Sequence, residues 1–494
     1  MRVLFLNPII FYRRWPVPAD FTRFSFNPPS VTFPQIAACL PSDVSVDFWD
    51  GTVERFNYRK FITRLANVNL VAISCNCGAV SLNTELSIRL IKKIDPRIIV
   101  VVGGLHASVY PDAWLARGAD YVVRGEGEQT FAELIASLKA GSDINSIRGV
   151  SYQNDGAVRS APDRPFIDNL DELPMPRWDL LDLKKYNTPF NKGFIATVET
   201  SRGCAFQCSF CVVSVVWRKT QRFKSITRVI DELKQLKALG VRRICIADDN
   251  FGYNYDRDMQ LLEEMIRQKL HIRWFGFARA DFVYTHPEFY SLAARAGLEC
   301  VLTGFETLKQ NSLVRFNKGY GHELTIDEYG QVYSTLKKNK IFTVGLFIAG
   351  YPEESEEDLR YTMLHYNRVC DFPLFTPFRP EKSTATYNML RHEFTEEPFY
   401  YDSQIRLGSY DRYKNSIRFL TVMVFFRSMI KVFSSDKFTR IFHCNLYRHL
   451  MVSLVQVNFR CLRDFYYLVF VSSCGIPYDY FKEKIVDRYL KLFK

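Results

Sequence analysis

From Arg2 to about Gly141, apolar residues fall in short runs separated by longer amphipathic stretches. That alternation predicts strands that take turns with helices. The expected strands are 3–6, 44–48, 70–73, 98–102 and 121–123, with helices over 82–94, where Leu86, Leu90 and Ile94 share a face, and over 130–138. Such an order makes a parallel sheet covered on both faces, and a sheet of this kind holds ligands beyond the carboxyl ends of its strands. The pattern then changes. Residues 149–160 predict a hairpin around Asn154-Asp155-Gly156, and 168–178 form a linker punctuated by Pro174 and Pro176. From Phe194 onward strand and helix units resume, with strands expected at 194–198, 241–247, 273–278, 299–302, 342–348 and 374–378. The helix over 226–239 stops at Gly240, a natural C-terminal cap. Six units of this kind predict a partial barrel with its site at the carboxyl ends of the strands.

The expected fold class is therefore α/β. A doubly wound parallel sheet of the Rossmann or flavodoxin kind occupies 1–145, a hairpin and linker 146–190, a partial (β/α)6 barrel 191–380, and a mainly helical region 381–494.

Composition narrows the class. At 494 residues with 47% hydrophobic content, the chain has room for two or three globular domains. Twelve cysteines in so long a chain, with no export signal expected from Met1-Arg2-Val3-Leu4-Phe5-Leu6-Asn7-Pro8, argue for a reducing compartment, the cytoplasm. The formal charge of +12 is unevenly placed: from Ser403 to the end there are 16 Lys plus Arg against 6 Asp plus Glu, an excess of 10. The excess belongs to the tail. There, 417–433 and 446–471 are largely apolar but interrupted by Arg418, Arg427, Lys431, Arg448, Arg460 and Arg463, so neither offers the roughly 18 uninterrupted apolar residues of a membrane span. A helical cap on the barrel mouth stands beside a peripheral membrane face or a lipophilic substrate pocket. No nucleic-acid partner is expected, because charge alone supplies only sequence-independent attraction.

The chemistry centres on Glu199-Thr200-Ser201-Arg202-Gly203-Cys204-Ala205-Phe206-Gln207-Cys208-Ser209-Phe210-Cys211, just after an apolar strand. Thiolates are soft ligands suited to zinc or to iron–sulfur clusters, and such sites usually take four ligands. Only three are present here, and the nearest histidine is His271. Buried structural cysteines, a zinc site short of one ligand, and a 4Fe-4S cluster with one iron left open all remain on these grounds. The third explains the missing ligand.

At these residues the chain resembles the radical S-adenosylmethionine (SAM) enzymes, whose signature is three cysteines in this spacing with an aromatic residue before the last, here Phe210. The resemblance implies that Cys204, Cys208 and Cys211 hold a 4Fe-4S cluster whose open iron is chelated by SAM. Reductive cleavage of SAM then gives a 5′-deoxyadenosyl radical. Ala205 stands where the family often has proline.

A second resemblance lies ahead of the cluster. Val100-Val101-Val102-Gly103-Gly104-Leu105-His106 and Asp120-Tyr121-Val122-Val123-Arg124-Gly125-Glu126-Gly127-Glu128 are similar to the cobalamin-binding domain of one large class of radical SAM proteins. It implies cobalamin contacts at Ser74, Gly103, Gly104, His106 and Glu126, although a loop histidine bonded to backbone is an equal reading of His106. Other cobalamin domains supply an imidazole to cobalt from an Asp-x-His-x-x-Gly motif. In Asp50-Gly51-Thr52-Val53-Glu54-Arg55, Thr52 takes the histidine's place. Cys75 and Cys77 are read as small residues near a corrin face.

Polar residues gather where the barrel strands should end: Asp248 and Asp249, Arg279, Glu306 and Gly350. One acidic residue after a strand is more often a cap or turn former, but several in register suggest a site. By resemblance, Arg279 and Glu306 contact the ribose or methionine groups of SAM, Asp248 or Asp249 lies near its amino group, and the Gly350 loop passes its adenine.

The function implied is that of a cobalamin-dependent radical SAM C-methyltransferase. One SAM methylates cobalamin, a second yields the radical that takes hydrogen from an unactivated carbon, and that carbon accepts the methyl group. A small-molecule substrate, large and apolar in keeping with the aromatic tail, and a flavodoxin or ferredoxin electron donor complete the expectation. The alternatives are a cobalamin-dependent cyclase, like that of anaerobic magnesium-porphyrin biosynthesis, and a non-catalytic cobalamin-binding module.

Overall fold

The structure, a computed structural model, describes residues 1–9, 28–54, 56–186, 194–309, 317–318, 324–351 and 354–393. The expected helical region lies outside the described residues from 394 onward, and with it both apolar segments of the tail.

Strands β1 (Arg2–Asn7), β2 (Ser45–Asp50), β3 (Leu70–Ser74), β4 (Ile99–Gly103) and β5 (Tyr121–Val123) form a parallel sheet. Its order is β2-β1-β3-β4-β5, continued by β6 (Val150–Asn154) and β7 (Ala157–Ser160). Alternate side chains leave opposite faces of a strand, and both faces are buried. Val3, Phe5, Ala72, Val101 and Val123 pack with Phe33 and Phe131 on one side. Leu4, Leu6, Val71, Ile73, Val100 and Val102 pack with Phe61, Leu86 and Ile91 on the other. Burying each Val, Leu, Ile or Phe side chain among them contributes about 1.5–3 kcal/mol.

The hairpin forms where expected, with Asp155 at φ 50° and Gly156 at φ 76° as its two-residue turn. It is not a free-standing connector. β6 pairs antiparallel with β5, Val123 opposite Val150, and so covers what would be an open sheet edge.

The linker that follows touches both halves of the molecule. The Pro174 carbonyl accepts from Gln35 Nε2 and from Arg228 Nη2, each at 2.9 Å, and the Tyr186 hydroxyl donates to Asp50 at 2.5 Å.

The second sheet is a six-stranded parallel one in the order β15-β14-β13-β12-β11-β8. Its strands are β8 (Phe194–Val198), β11 (Val241–Ile246), β12 (Arg273–Arg279), β13 (Leu298–Glu306), β14 (Phe342–Ala349) and β15 (Phe372–Pro377). Helices on its outer side bury Val229, Leu233, Leu262, Phe289 and Leu336 against it. Between β8 and β11 lies a short antiparallel ribbon, β9 (Ser201–Gly203) with β10 (Gln221–Phe223), that the apolar pattern did not announce. Strand β13 runs to Glu306, past the expected 302. Its register against β14 shifts between Gly304 and Glu306, and Glu306 sits at φ 63°.

Candidate active site

The three-cysteine loop leaves β9 through Gly203. This residue adopts φ 88°, and a Cβ there would collide with the Thr220 carbonyl oxygen. Cys204, Cys208 and Cys211 are all half-buried. The Cys211 N–H donates to the Cys208 carbonyl at 3.1 Å, and Cys211 is the N-cap of the helix Val212–Val216. Burial pushes the Cys211 thiol up to about 12 and raises Cys204 as well. Bare thiolates are thus disfavoured there, and a bound cation is what would stabilise them.

Among the described residues no group of three or more His, Cys, Asp or Glu side chains closes around a single ion. Three thiols fall one ligand short of a closed zinc site, whereas a cluster gives each thiolate its own iron and leaves one iron open. The donor set fits the cluster.

Arg279, at the end of β12, reaches this loop. Its guanidinium carbon lies 3.7 Å from the Phe206 ring centroid, Nη1 is 3.9 Å from Cys208 Sγ, and Asp281 holds it through Nε at 3.0 Å and Nη2 at 2.6 Å. Phe206 in turn meets Tyr253 edge-on at 5.6 Å, and Phe210 packs against the core.

The two adjacent aspartates after β11 separate. Asp248 is buried and accepts from the Thr200 N–H (2.6 Å), the Thr200 hydroxyl (2.5 Å) and the Ser201 hydroxyl (2.8 Å), so its carboxylate pins the segment leading into the cysteine loop. Asp249 is open to solvent yet ringed by protein. Partial loss of water, then the charges of Asp248 and Glu199, push its carboxyl to about 7. Glu306, nine-tenths buried, pairs with Lys318, whose Nζ also donates to the Gly304 carbonyl at 2.8 Å. Gly350, at φ 79°, donates its N–H to Glu354 at 2.5 Å.

On the first sheet, Ser74 and Gly103 are register partners at the carboxyl ends of β3 and β4. Gly104 has φ 109°, and a Cβ there would meet Asn76 Oδ1 and lie 2.7 Å from the Cys75 carbonyl oxygen. At Gly125 nothing lies within 4 Å of the Cβ position, so the loop after β5 is open at that one point. These glycine-edged strand ends fit the approach of a broad ligand such as a corrin.

His106 is buried. Its Nδ1 accepts from Trp114 Nε1 at 3.3 Å, and its ring stacks on Tyr110 with centroids 4.6 Å apart. Thr52 turns its hydroxyl onto Asp50 at 2.6 Å.

Glu126, expected at cobalamin, has both carboxylate oxygens engaged within the protein. They accept from the Ile167 N–H (2.7 Å), Arg202 Nη1 (2.9 Å) and Arg222 Nη1 (2.9 Å). Sequence reasoning had not singled out Arg202, Arg222 or Lys318. Local spacing carries no signal for the first pair, since Arg202 and Glu126 are 76 residues apart.

Segments that follow the two sets of strand ends meet. The helix Leu105–Val109, directly after the Gly103-Gly104 loop, lies beside the helix Val212–Val216, directly after Cys211. The segment beyond β15 ties both sides. The Lys382 N–H donates to the Tyr110 hydroxyl at 3.1 Å, and Thr386 bonds Ser209 through its N–H (3.0 Å) and hydroxyl (3.1 Å).

Comparison with known proteins agrees with this division. The radical SAM superfamily profile matches residues 198–365, and the B12 binding domain profile matches 22–135. An uncharacterized methyltransferase of Pyrococcus horikoshii is 31% identical over 369 residues, covering 73% of this chain and 78% of the relative. The anaerobic magnesium-protoporphyrin IX monomethyl ester cyclase of Rubrivivax gelatinosus is 32% identical over 286 residues, 56% of this chain and half of the cyclase's length. Among solved structures, the radical SAM methyltransferase TsrM from Kitasatospora setae, with cobalamin and a 4Fe-4S cluster bound, superposes with a TM-score of 0.63. The match covers 79% of this chain and 74% of TsrM at 18% identity, a likeness of fold. With a three-thiol loop at one set of strand ends, glycine-edged strand ends opposite, and a relative similar over most of its length, the chain belongs to the cobalamin-dependent radical SAM enzymes, whose cofactors are a 4Fe-4S cluster, SAM and cobalamin.

Proposed function

We propose that the chain is a C-methyltransferase that places a methyl group on an unactivated carbon of a small-molecule substrate. The observation that carries this reading is the apposition of the helix following Cys211 and the helix following the Gly103-Gly104 loop. It brings a radical-generating loop and a methyl-carrying sheet to one crevice. Polar methyl transfer needs a nucleophilic acceptor, so a carbon without one calls for both halves together.

In this reading Cys204, Cys208 and Cys211 hold the cluster. Asp249, Arg279, Glu306 and the Gly350 loop bind SAM. Ser74, Gly103 and Gly104 line the cobalamin side. When bound, the cluster with SAM supplies a hydrogen-abstracting radical and cobalamin supplies a transferable methyl group. The protein's own part is to orient these groups and keep water away from them. Asp248 and Glu126 hold the loops from behind.

We place the cobalamin-binding domain at 1–145, the hairpin and linker at 146–190, the radical SAM barrel at 191–380 and a basic region at 381–494 that offers a surface for peripheral membrane contact. Among the described residues no helix is long and apolar enough to cross a membrane. A cytoplasmic location would keep the thiols reduced, and a flavodoxin or ferredoxin would feed the cluster.

The test uses protein reconstituted anaerobically with iron, sulfide and hydroxocobalamin. It is given a low-potential reductant, SAM labelled in its methyl group, and a metabolite extract from host cells lacking this gene. S-adenosylhomocysteine and 5′-deoxyadenosine should both form, with the label on a carbon of one metabolite. 5′-Deoxyadenosine without S-adenosylhomocysteine would favour the cyclase reading, which the 32% identity to the Rubrivivax cyclase supports. Zinc in place of iron would defeat both.

A further inference from the structure

One largely buried ion cluster joins the loop after β5 to the segment that leads into the cysteine loop. Arg202 lies on β9, two residues before the first cluster cysteine, and is nine-tenths buried. It donates from Nη1 to Glu126 at 2.9 Å, from Nη2 to Glu128 at 2.6 Å and from Nε to Glu199 at 3.1 Å. Glu126 and Glu128 flank the start of the helix Gly127–Ala140, directly after the Arg124-Gly125 rim of the first sheet, while Glu199 follows β8 of the second. Arg222 on β10 adds a second guanidinium to Glu126 and sits over the Phe166 ring at 4.7 Å.

A guanidinium presents its donors in a rigid planar fork, so carboxylates bonded to different edges of it are fixed in angle as well as distance. Buried ion pairs contribute little net stability compared with apolar packing, but breaking one leaves an uncompensated charge. Their use is therefore geometric: a cluster of this kind permits one relative placement of the pieces it joins. The pieces here are the loop that carries the thiols and the loop that rims the corrin side.

We propose that Arg202 is a positioning residue that sets the separation between the cobalamin loops and the cluster loop. The inference rests on the function proposed above for what the two loops carry, while the joint itself is independent of it.

Two measurements on the full chain test it, with Arg202→Met, Arg202→Lys and the milder Glu128→Gln. The first is hydrogen exchange of the protein before any cofactor is added. In Arg202→Met, segments 124–128 and 199–204 should both exchange about a hundredfold faster, while the distant helix Ile326–Lys338 is unchanged. Acceleration confined to 199–204 would mean a local structural role and overturn the proposal.

The second is the dipolar coupling between cob(II)alamin and the reduced cluster in frozen, loaded protein. The parent should give one narrow distance. Arg202→Met should give a broader or shifted one at unchanged iron and cobalamin content, and Arg202→Lys should recover part of the narrowness. An unchanged distance in Arg202→Met with both cofactors bound would overturn the proposal. Should Arg202→Met not fold, Glu128→Gln carries both measurements. A parent protein that takes up neither cofactor counts against the proposed function, and the exchange experiment then decides the positioning role.

Discussion

Arg279 lies over the Phe206 ring, its guanidinium carbon 3.7 Å from the centroid, and that stacking holds Nη1 3.9 Å from the Cys208 sulfur. A cation beside a cluster ligand favours the reduced, more negative cluster. Arg279→Met should therefore lower the cluster midpoint potential, by an amount on the order of tens of millivolts. The Asp281 counter-charge at 2.6 Å keeps the shift from being larger. An electron-paramagnetic-resonance redox titration reads the shift, and a potential equal to that of the parent would show that the arginine does not tune the cluster.

Adjacent carboxylates should behave differently. Asp248→Ala removes a buried carboxyl that accepts three hydrogen bonds in the interior, which leaves their donors without a partner and should destabilise the protein by about 3 kcal/mol. Asp249→Ala removes a carboxylate already disfavoured as an anion at neutral pH. Because ionisation of that carboxyl opposes folding, the variant's urea midpoint at pH 7 should be no lower than the parent's and should rise, while SAM binding in calorimetry weakens. Equal loss of stability in both variants would contradict this division.

Gly104→Ala should cost about 1–3 kcal/mol from the left-handed backbone alone, with the new methyl group pressed against Asn76 and the Cys75 carbonyl. Cobalamin retained after desalting should fall, while iron content stays at the parent level. Loss of both together would mean general unfolding and no specific role for the Gly103-Gly104 loop.

Glu354 gives a pH dependence. Burial raises its carboxyl to about 8 from the ordinary 4.5, although the Gly350 N–H pulls the other way. The folded protein thus holds this proton more tightly than the unfolded chain. Its contribution to stability is complete below about 4.5 and is lost as pH rises to about 8. Denaturant midpoints should fall across that window with a slope of up to about 1.4 kcal/mol per pH unit. Glu354→Gln, which cannot ionise, should flatten it, and an equally steep slope in the variant would assign the dependence to other groups.

The strand and helix pattern, the doubly wound first sheet, the parallel second sheet and the three-cysteine loop were all legible in the amino-acid order. They rest on local signals: apolar periodicity, glycine at turns, and thiols within one loop. Strands β1, β3 and β5 lie within one residue of where apolar runs placed them at either end. Other features depend on residues far apart in the chain. Nothing near Val150 says that it pairs with Val123, and nothing near Arg202 says that Glu126 and Glu128 will surround it. The register shift that puts Glu306 at positive φ arises from pairing with β14 and leaves no mark in composition. Sequence therefore determined which chemistry this protein carries, because ligand type and spacing are written in consecutive residues. Only the tertiary structure decided which of two neighbouring aspartates is buried and which charges pair between residues far apart in the chain, because burial and partner choice depend on what the rest of the chain packs against them.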